Sequence, residues 1–208
     1  MKSNIDYSLY VITNQQAMSS ETVEESVKQA ILGGCTIVQL REKELSSGDF
    51  YDVAVRVRKV TSELGVPFII NDRVDIALSA DADGVHVGQS DLPADVVRQL
   101  IGPEKIMGVS ASNLEEALTA VEMGADYLGV GAIFPTNTKN DAQYTSLEEL
   151  QEICEAVPIP VVAIGGIDKK TIPALQNIPI KGIAVVSAIV SRPDVSLAAQ
   201  ELKEQFIR

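Results

Sequence analysis

Cysteine is scarce in this sequence. Of 208 residues only Cys35 and Cys154 are cysteines. Both stand in apolar stretches, without CxxC spacing and without a nearby histidine. This usage is typical of reduced thiols in a cytosolic protein. We therefore expect two buried thiols and a cytoplasmic location.

Long apolar runs are also absent. No stretch approaches the roughly 18 residues that a membrane-spanning helix needs. The N-terminal residues MKSNIDYSLY lack the apolar core of a secretory signal. We expect no membrane partner.

Positive charge is in deficit, with 17 Lys and Arg against 29 Asp and Glu and a net charge of −12. The sequence has no basic stripe that could displace counterions, which argues against a nucleic-acid partner. An anionic substrate would be repelled by the overall field. A phosphate site would therefore need local cations or a metal ion, together with aimed backbone N–H groups.

Short apolar runs alternate with amphipathic runs along the whole chain. The predicted strands cover residues 9–13, 36–42, 66–72, 83–89, 105–111, 126–134, 159–167 and 181–189. They are nearly continuous apolar runs, as expected for parallel strands covered on both faces. Eight such units without a linker predict a closed (β/α)8 TIM barrel, with residues 1–208 as one domain at the small end of the size range. An open, doubly wound sheet is the alternative.

The ends of these strands are polar or glycine-rich. In a (β/α)8 barrel the active site lies at the carboxyl ends of the strands, so these residues would face one rim. The candidates there are Gln39, Arg41, Glu42, Lys43, Asn71, Asp72, His86, Asp91, Ser110, Thr136, Thr138, Lys139, Gly165, Gly166 and Ser187.

Charged residues on this rim suggest a diphosphate ligand. Arg41, Lys43 and Lys139 can contact phosphate oxygens. The carboxylates of Asp72 and Asp91 suit Mg²⁺, which is often held by one or two carboxylates plus substrate phosphates. Each aspartate could instead be only a helix N-cap. His86, the one histidine, could be purely structural.

A second anion site is predicted after strands 7 and 8. Barrels often bind phosphate there through glycine N–H groups and a short helix N-terminus. Gly166 would permit close backbone approach and Ser187 would offer a hydroxyl, although Gly165 and Gly166 could simply form a tight turn. Two anionic substrates favour a transferase over an isomerase.

Seven motifs, taken in order, resemble the thiamine-phosphate synthase family over nearly the whole chain. They are QLREK, IINDRVDIAL, DGVHVGQSDLP, GVSAS, GADYLGVGAIFPTNTK, PVVAIGGI and GIAVVSAI. The resemblance implies joining of hydroxymethylpyrimidine diphosphate to thiazole phosphate, with Mg²⁺ as cofactor. It implies Mg²⁺ ligands at Asp72 and Asp91. It implies that the pyrimidine diphosphate is bound by Gln39, Leu40, Arg41, Glu42, Lys43, Asn71, Ser110 and Lys139. It implies that the thiazole phosphate is bound by Thr136, Asn137, Thr138, Gly166, Val186 and Ser187. The catalytic residues among these would be Arg41, Lys43, Ser110 and Lys139.

The sequence departs from the family pattern in two places. Ser112 stands where the family usually has histidine, and residues 140–146 read NDAQYTS instead of a glycine-containing loop. A thiazole tautomerase-like paralogue and a non-catalytic barrel that binds phosphorylated ligands are the alternatives. The sequence leaves open the oligomeric state, for which a homo-oligomer is possible, and whether the thiazole is carboxylated.

Overall fold

A computed structural model describes residues 5–136 and 144–207 and contains eight parallel strands. They are β1 Leu9–Ile12, β2 Ile37–Leu40, β3 Phe68–Asn71, β4 Gly84–Val87, β5 Ile106–Ala111, β6 Tyr127–Val130, β7 Val161–Ile164 and β8 Gly182–Val185. Each strand pairs with the next, and β8 closes on β1 with Tyr10 opposite Ala184. The predicted (β/α)8 barrel is therefore confirmed, and the open sheet is excluded.

Eight α-helices accompany the strands in the described part of the chain. They are α1 Val23–Leu32, α2 Ser47–Glu63, α3 Val74–Ser79, α4 Ala94–Ile101, α5 Leu114–Glu122, α6 Leu147–Ala156, α7 Ser187–Val190 and α8 Val195–Ile207. Serine and asparagine cap three of these helices: Ser46, Asn113 and Ser146 each accept a backbone N–H three residues on. None of the described helices is both long and apolar enough to cross a membrane.

Two segments differ from the sequence prediction in their type of secondary structure. Residues 168–177, whose run after the seventh strand predicts a helix, form only a single 3-10 turn, Ile172–Leu175. Pro173 lies in that turn, where a missing N–H is tolerated. The predicted strand 181–189 ends at Val185, and its last residues form the short helix α7. An apolar run alone does not distinguish a buried strand from a buried helical turn.

Side chains of the strands alternate between the barrel lumen and the layer under the helices, as the pleat requires. The lumen cluster consists of Tyr7, Tyr10, Ile12, Ile37, Ile69, Ile106, Tyr127, Val162 and Ala184. The larger outer cluster packs strands against helices and includes Leu40 and Cys35. Cys35 is buried as predicted, whereas Cys154 is only half-buried.

Two aspartates join neighbouring units at the amino ends of the strands. Asp83 accepts the backbone N–H of Phe68 at 2.8 Å and a guanidinium hydrogen of Arg58 at 2.7 Å. Asp126 repeats this arrangement with Met107 at 2.8 Å and Arg98 at 2.6 Å. This end of the barrel is therefore stabilised by part-buried, charge-assisted bonds, whereas the active sites of such barrels lie at the opposite end.

Candidate active site

The ends of β2, β3 and β4 bring a lysine and two carboxylates together. Lys43 Nζ donates to Asp72 Oδ2 at 2.5 Å. Asp91 Oδ2 accepts the Gly88 N–H at 2.7 Å. Burial raises the pKa of the Asp91 carboxyl; the Gly88 bond opposes this, while the neighbouring Asp72 carboxylate adds to it. Two carboxylates in this position favour a bound cation.

The backbone conformation of Asp72 sets the position of its carboxylate. Its φ angle is +60°, in the left-handed region that aspartate tolerates better than most residues. Its N–H donates to the His86 carbonyl at 2.8 Å, which holds this conformation at the end of β3. The alternative role of Asp72 and Asp91 as helix caps is wrong: Arg73 and Pro93 occupy the N-cap positions of α3 and α4, without side-chain capping bonds.

Charges on this part of the rim do not favour an anion by themselves. Arg41 and Lys43 are accompanied by three carboxylates, of which Glu42 has a buried oxygen without a hydrogen-bond partner among the described residues. Burial raises the pKa of Glu42, and Arg41 opposes the rise. A diphosphate would therefore need a further cation here.

The remaining predicted pyrimidine-site residues lie on the same rim. Gln39 and Asn71 are buried, and Ser110 is half-buried near the end of β5. Leu40 differs, because its fully buried side chain packs in the outer cluster. Only its backbone is therefore placed to contact a ligand. The Arg41 N–H donates to Thr13 Oγ1 at 3.0 Å, which anchors the turn after β2.

Sequence reasoning missed a polar chain that crosses the barrel lumen. Gln39 Nε2 donates to the Tyr10 hydroxyl at 2.8 Å, and the Tyr10 and Tyr127 hydroxyls lie 2.9 Å apart. Tyr127 contacts His86 Nδ1 at 2.9 Å, and His86 Nε2 contacts Ser110 Oγ at 2.9 Å. The period-2 alternation of β1 and β6 could have placed both tyrosines inside the barrel, where branched apolar residues are the rule.

The ends of β6 and β7 lie against each other at the predicted phosphate site. Gly166 has φ +63°, and a Cβ there would lie 2.6 Å from the Pro135 carbonyl oxygen. The Phe134 N–H donates to the Gly165 carbonyl at 3.0 Å. Gly166 is therefore required by both conformation and space. Thr136, half-buried, follows Pro135 directly.

The turn after β8 completes this side of the rim. Val186 is the half-buried N-cap residue of α7, and the exposed Ser187 is its first residue. The predicted residues Asn137, Thr138 and Lys139 lie outside the described part of the chain.

Ser112 has a structural explanation. Its hydroxyl and its N–H both donate to Glu116 Oε2, at 2.9 and 2.7 Å. Its carbonyl accepts from the Thr145 hydroxyl at 2.8 Å, and the Thr145 N–H donates to the Ala132 carbonyl at 2.9 Å. Ser112 thus anchors the segment that leads into α6.

Within residues 5–136 and 144–207, no cluster of three or more His, Cys, Asp or Glu could hold a metal ion. Asp72 and Asp91 form a pair only. A cation there would complete its coordination with water or with ligand oxygens, which is how Mg²⁺ usually binds beside phosphates.

A (β/α)8 barrel with cations, a carboxylate pair and a glycine turn at its carboxyl rim defines an enzyme that handles phosphorylated small molecules. The family model described as thiamine monophosphate synthase matches residues 9–189. The thiamine-phosphate synthase of Clostridium beijerinckii is 56% identical over 208 residues, covering 100% of both chains. That of Ruminiclostridium cellulolyticum is 58% identical over 207 residues, covering 100% of this chain and 99% of its own.

A solved structure of thiamine phosphate pyrophosphorylase from Pyrococcus furiosus superimposes with a TM-score of 0.90 at 42% identity, covering 98% of this chain and 96% of that one. The chain belongs to the thiamine monophosphate synthase family. The resemblance drawn from the motifs and the prediction of a transferase in thiamine biosynthesis are both confirmed.

Proposed function

We propose that this protein joins 4-amino-2-methyl-5-hydroxymethylpyrimidine diphosphate to thiazole phosphate, giving thiamine phosphate and diphosphate. The C–O bond to the diphosphate breaks, and the thiazole nitrogen forms the new bond to the pyrimidine methylene carbon. The observation that carries the proposal is the contact of Lys43 with Asp72 beside Asp91, at the ends of three adjacent strands.

Arg41 and Lys43 would bind the oxygens of the diphosphate and hold the leaving group in line. Gln39 and Asn71 would hold the pyrimidine, and Ser110 would donate to the diphosphate. These assignments are supported by their positions on one rim. The reaction needs charge stabilised on a leaving group rather than a strong base, which agrees with this set of residues.

Asp72 and Asp91 would hold Mg²⁺. The donor set fits, because hard carboxylate oxygens without histidine or cysteine suit this ion. When bound, the ion would neutralise charge on the departing diphosphate. It would also reverse the local excess of carboxylates over cations, so that an anionic substrate could bind.

The thiazole phosphate would lie across the rim, between the β6 and β7 ends and the turn after β8. Gly166 offers close backbone approach there, and Ser187 offers a hydroxyl. As the resemblance implies, the thiazole phosphate would also be contacted by Thr136, Asn137 and Thr138. Lys139 would contact the diphosphate. A cytoplasmic location and a homo-oligomer also remain predictions.

The metal assignment is tested by titrating inorganic diphosphate with and without Mg²⁺, and by assaying thiamine phosphate formation. Asp72→Asn and Asp91→Asn should each abolish the Mg²⁺-dependent part of diphosphate binding and lower turnover more than about 100-fold. Asp75→Asn is the matched control, because Asp75 lies on α3 and pairs with Arg73 outside this cluster. Mg²⁺-dependent binding that survives in both site variants would contradict the assignment.

The same assay separates the alternatives. A barrel that only binds phosphorylated ligands would bind both substrates without releasing thiamine phosphate. The activity of a tautomerase-like paralogue would not depend on Asp72.

A further inference from the structure

We call the hydrogen-bonded series Gln39, Tyr10, Tyr127, His86 and Ser110 the lumen chain. Its hydrogen bonds all donate in the same direction. The Tyr10 hydroxyl accepts from Gln39 Nε2, so its own hydrogen is left for Tyr127, the other hydrogen-bond partner that the structure describes for it. Both tyrosines are about 1% exposed, and a buried hydroxyl hydrogen without an acceptor is costly. Tyr10 therefore donates to Tyr127.

The direction propagates to the rim. Tyr127 has accepted from Tyr10, so its hydrogen is directed to His86 Nδ1, 2.9 Å away. With Nδ1 accepting, the imidazole carries its hydrogen on Nε2 and donates it to Ser110 Oγ, also at 2.9 Å. The hydroxyl hydrogen of Ser110 is then available to a ligand on the rim.

Two glycines leave the space that the side chains of the lumen chain occupy. A Cβ at Gly108 would lie 2.3 Å from the Tyr127 hydroxyl and 2.4 Å from His86 Nδ1, so it would occupy the place where these atoms meet. A Cβ at Gly129 would lie 3.0 Å from His86 Cε1. Gly108 has no positive φ angle, so glycine serves there for space and not for conformation. The lumen is thus shaped around the chain.

The lumen chain also connects Gln39 and Ser110, two predicted contacts of the pyrimidine diphosphate. Gln39 lies on β2 and Ser110 on β5, and the connection runs through β1, β6 and β4. We propose that Tyr10, Tyr127 and His86 are positioning residues: their one-way hydrogen bonds fix His86 as the Nε2–H tautomer and orient the Ser110 hydroxyl as a donor to the pyrimidine diphosphate. The role of Ser110 as a substrate contact rests on the proposed function.

The tautomer can be observed directly, because the sequence contains a single histidine. In ¹⁵N-labelled wild-type protein without substrate, the imidazole correlations should show hydrogen on Nε2 and a bare Nδ1. Hydrogen on Nδ1 would overturn the proposal. This measurement needs no activity, so a failure of the proposed function would appear separately, as a wild-type protein that forms no thiamine phosphate.

Tyr127→Phe removes the donor to Nδ1 and should produce a mixture of tautomers. It should also lower kcat/KM for the pyrimidine diphosphate about tenfold, the effect of one lost hydrogen bond, with KM for thiazole phosphate unchanged. Tyr7→Phe is the matched control, because the ring centroids of Tyr7 and Tyr127 lie 5.1 Å apart and the Tyr7 hydroxyl is not part of the lumen chain. An unchanged tautomer, or a changed tautomer with unchanged kinetics, would overturn the proposal.

A double mutant separates positioning from general packing. If Tyr127 acts through Ser110, then Tyr127→Phe should cost less than about twofold in the Ser110→Ala background. Fully additive losses would show that Tyr127 acts by another route and would overturn the proposal. Circular dichroism of each variant identifies any loss caused by misfolding.

Discussion

Replacing Gly166 with alanine tests the side of the rim assigned to thiazole phosphate. A Cβ at this residue would lie 2.6 Å from the Pro135 carbonyl oxygen and 2.7 Å from both Cβ and the carbonyl oxygen of Phe134. Ordinary contacts between such atoms are about 3.5 Å or longer. The segment that leads to Thr136 must therefore move by about 1 Å.

Two contributions to the cost can be separated within this chain. Gly166 has φ +63°, and Gly65, at the end of α2, has φ +67°, but a Cβ added to Gly65 would meet no atom within 4 Å. Gly65→Ala should therefore cost only the backbone strain, about 1 kcal/mol of unfolding free energy. Gly166→Ala adds the clash, for a total of about 3 kcal/mol. The difference between the two variants is the cost of moving the β6 end.

The functional effect should exceed the effect on stability. A misplacement of about 1 Å in a substrate-positioning segment can cost about 100-fold in rate. We expect this loss in kcat/KM for thiazole phosphate, while the affinity for pyrimidine diphosphate changes less than about twofold. Urea unfolding and steady-state kinetics with each substrate varied would measure both. Equal kinetics for Gly166→Ala and Gly65→Ala would refute the reasoning.

Two further predictions concern stability. Arg98→Ala removes the ion pair of the half-buried Asp126 and should cost about 2–3 kcal/mol of unfolding free energy without changing either KM; altered KM values would place this pair in the site. Burial raises the pKa of Tyr7, Tyr10 and Tyr127, so the folded state keeps protons that the unfolded state loses above about pH 10. Stability should therefore fall as pH rises above about 10, by up to about 1.4 kcal/mol per pH unit for each tyrosine, and Tyr127→Phe should flatten this slope. A slope that is the same in the variant would refute the burial argument.

The sequence predicted the barrel because the signal is local and repeated. Eight apolar runs separated by capped amphipathic segments have one compact arrangement with every strand covered on both faces. The rim that carries the candidate site followed from the same pattern, since polar residues such as Lys43, Asp72 and Ser110 stand where strands end. The position of the short helix α7 was not predicted, because its apolar residues continue the run of β8.

The contacts inside the site were decided by tertiary structure. Tyr10 and Tyr127 are 117 residues apart, and only closure of the barrel brings their hydroxyls to 2.9 Å. Pairing of β6 with β7 places the backbone of Pro135 against Gly166. The outward direction of Leu40, by contrast, follows from the local pleat of β2, in which the preceding Gln39 faces the lumen. Residue type and spacing determined which groups face the rim. Which of them touch depends on strand register and on the space that glycines leave, and neither is a property of any one segment.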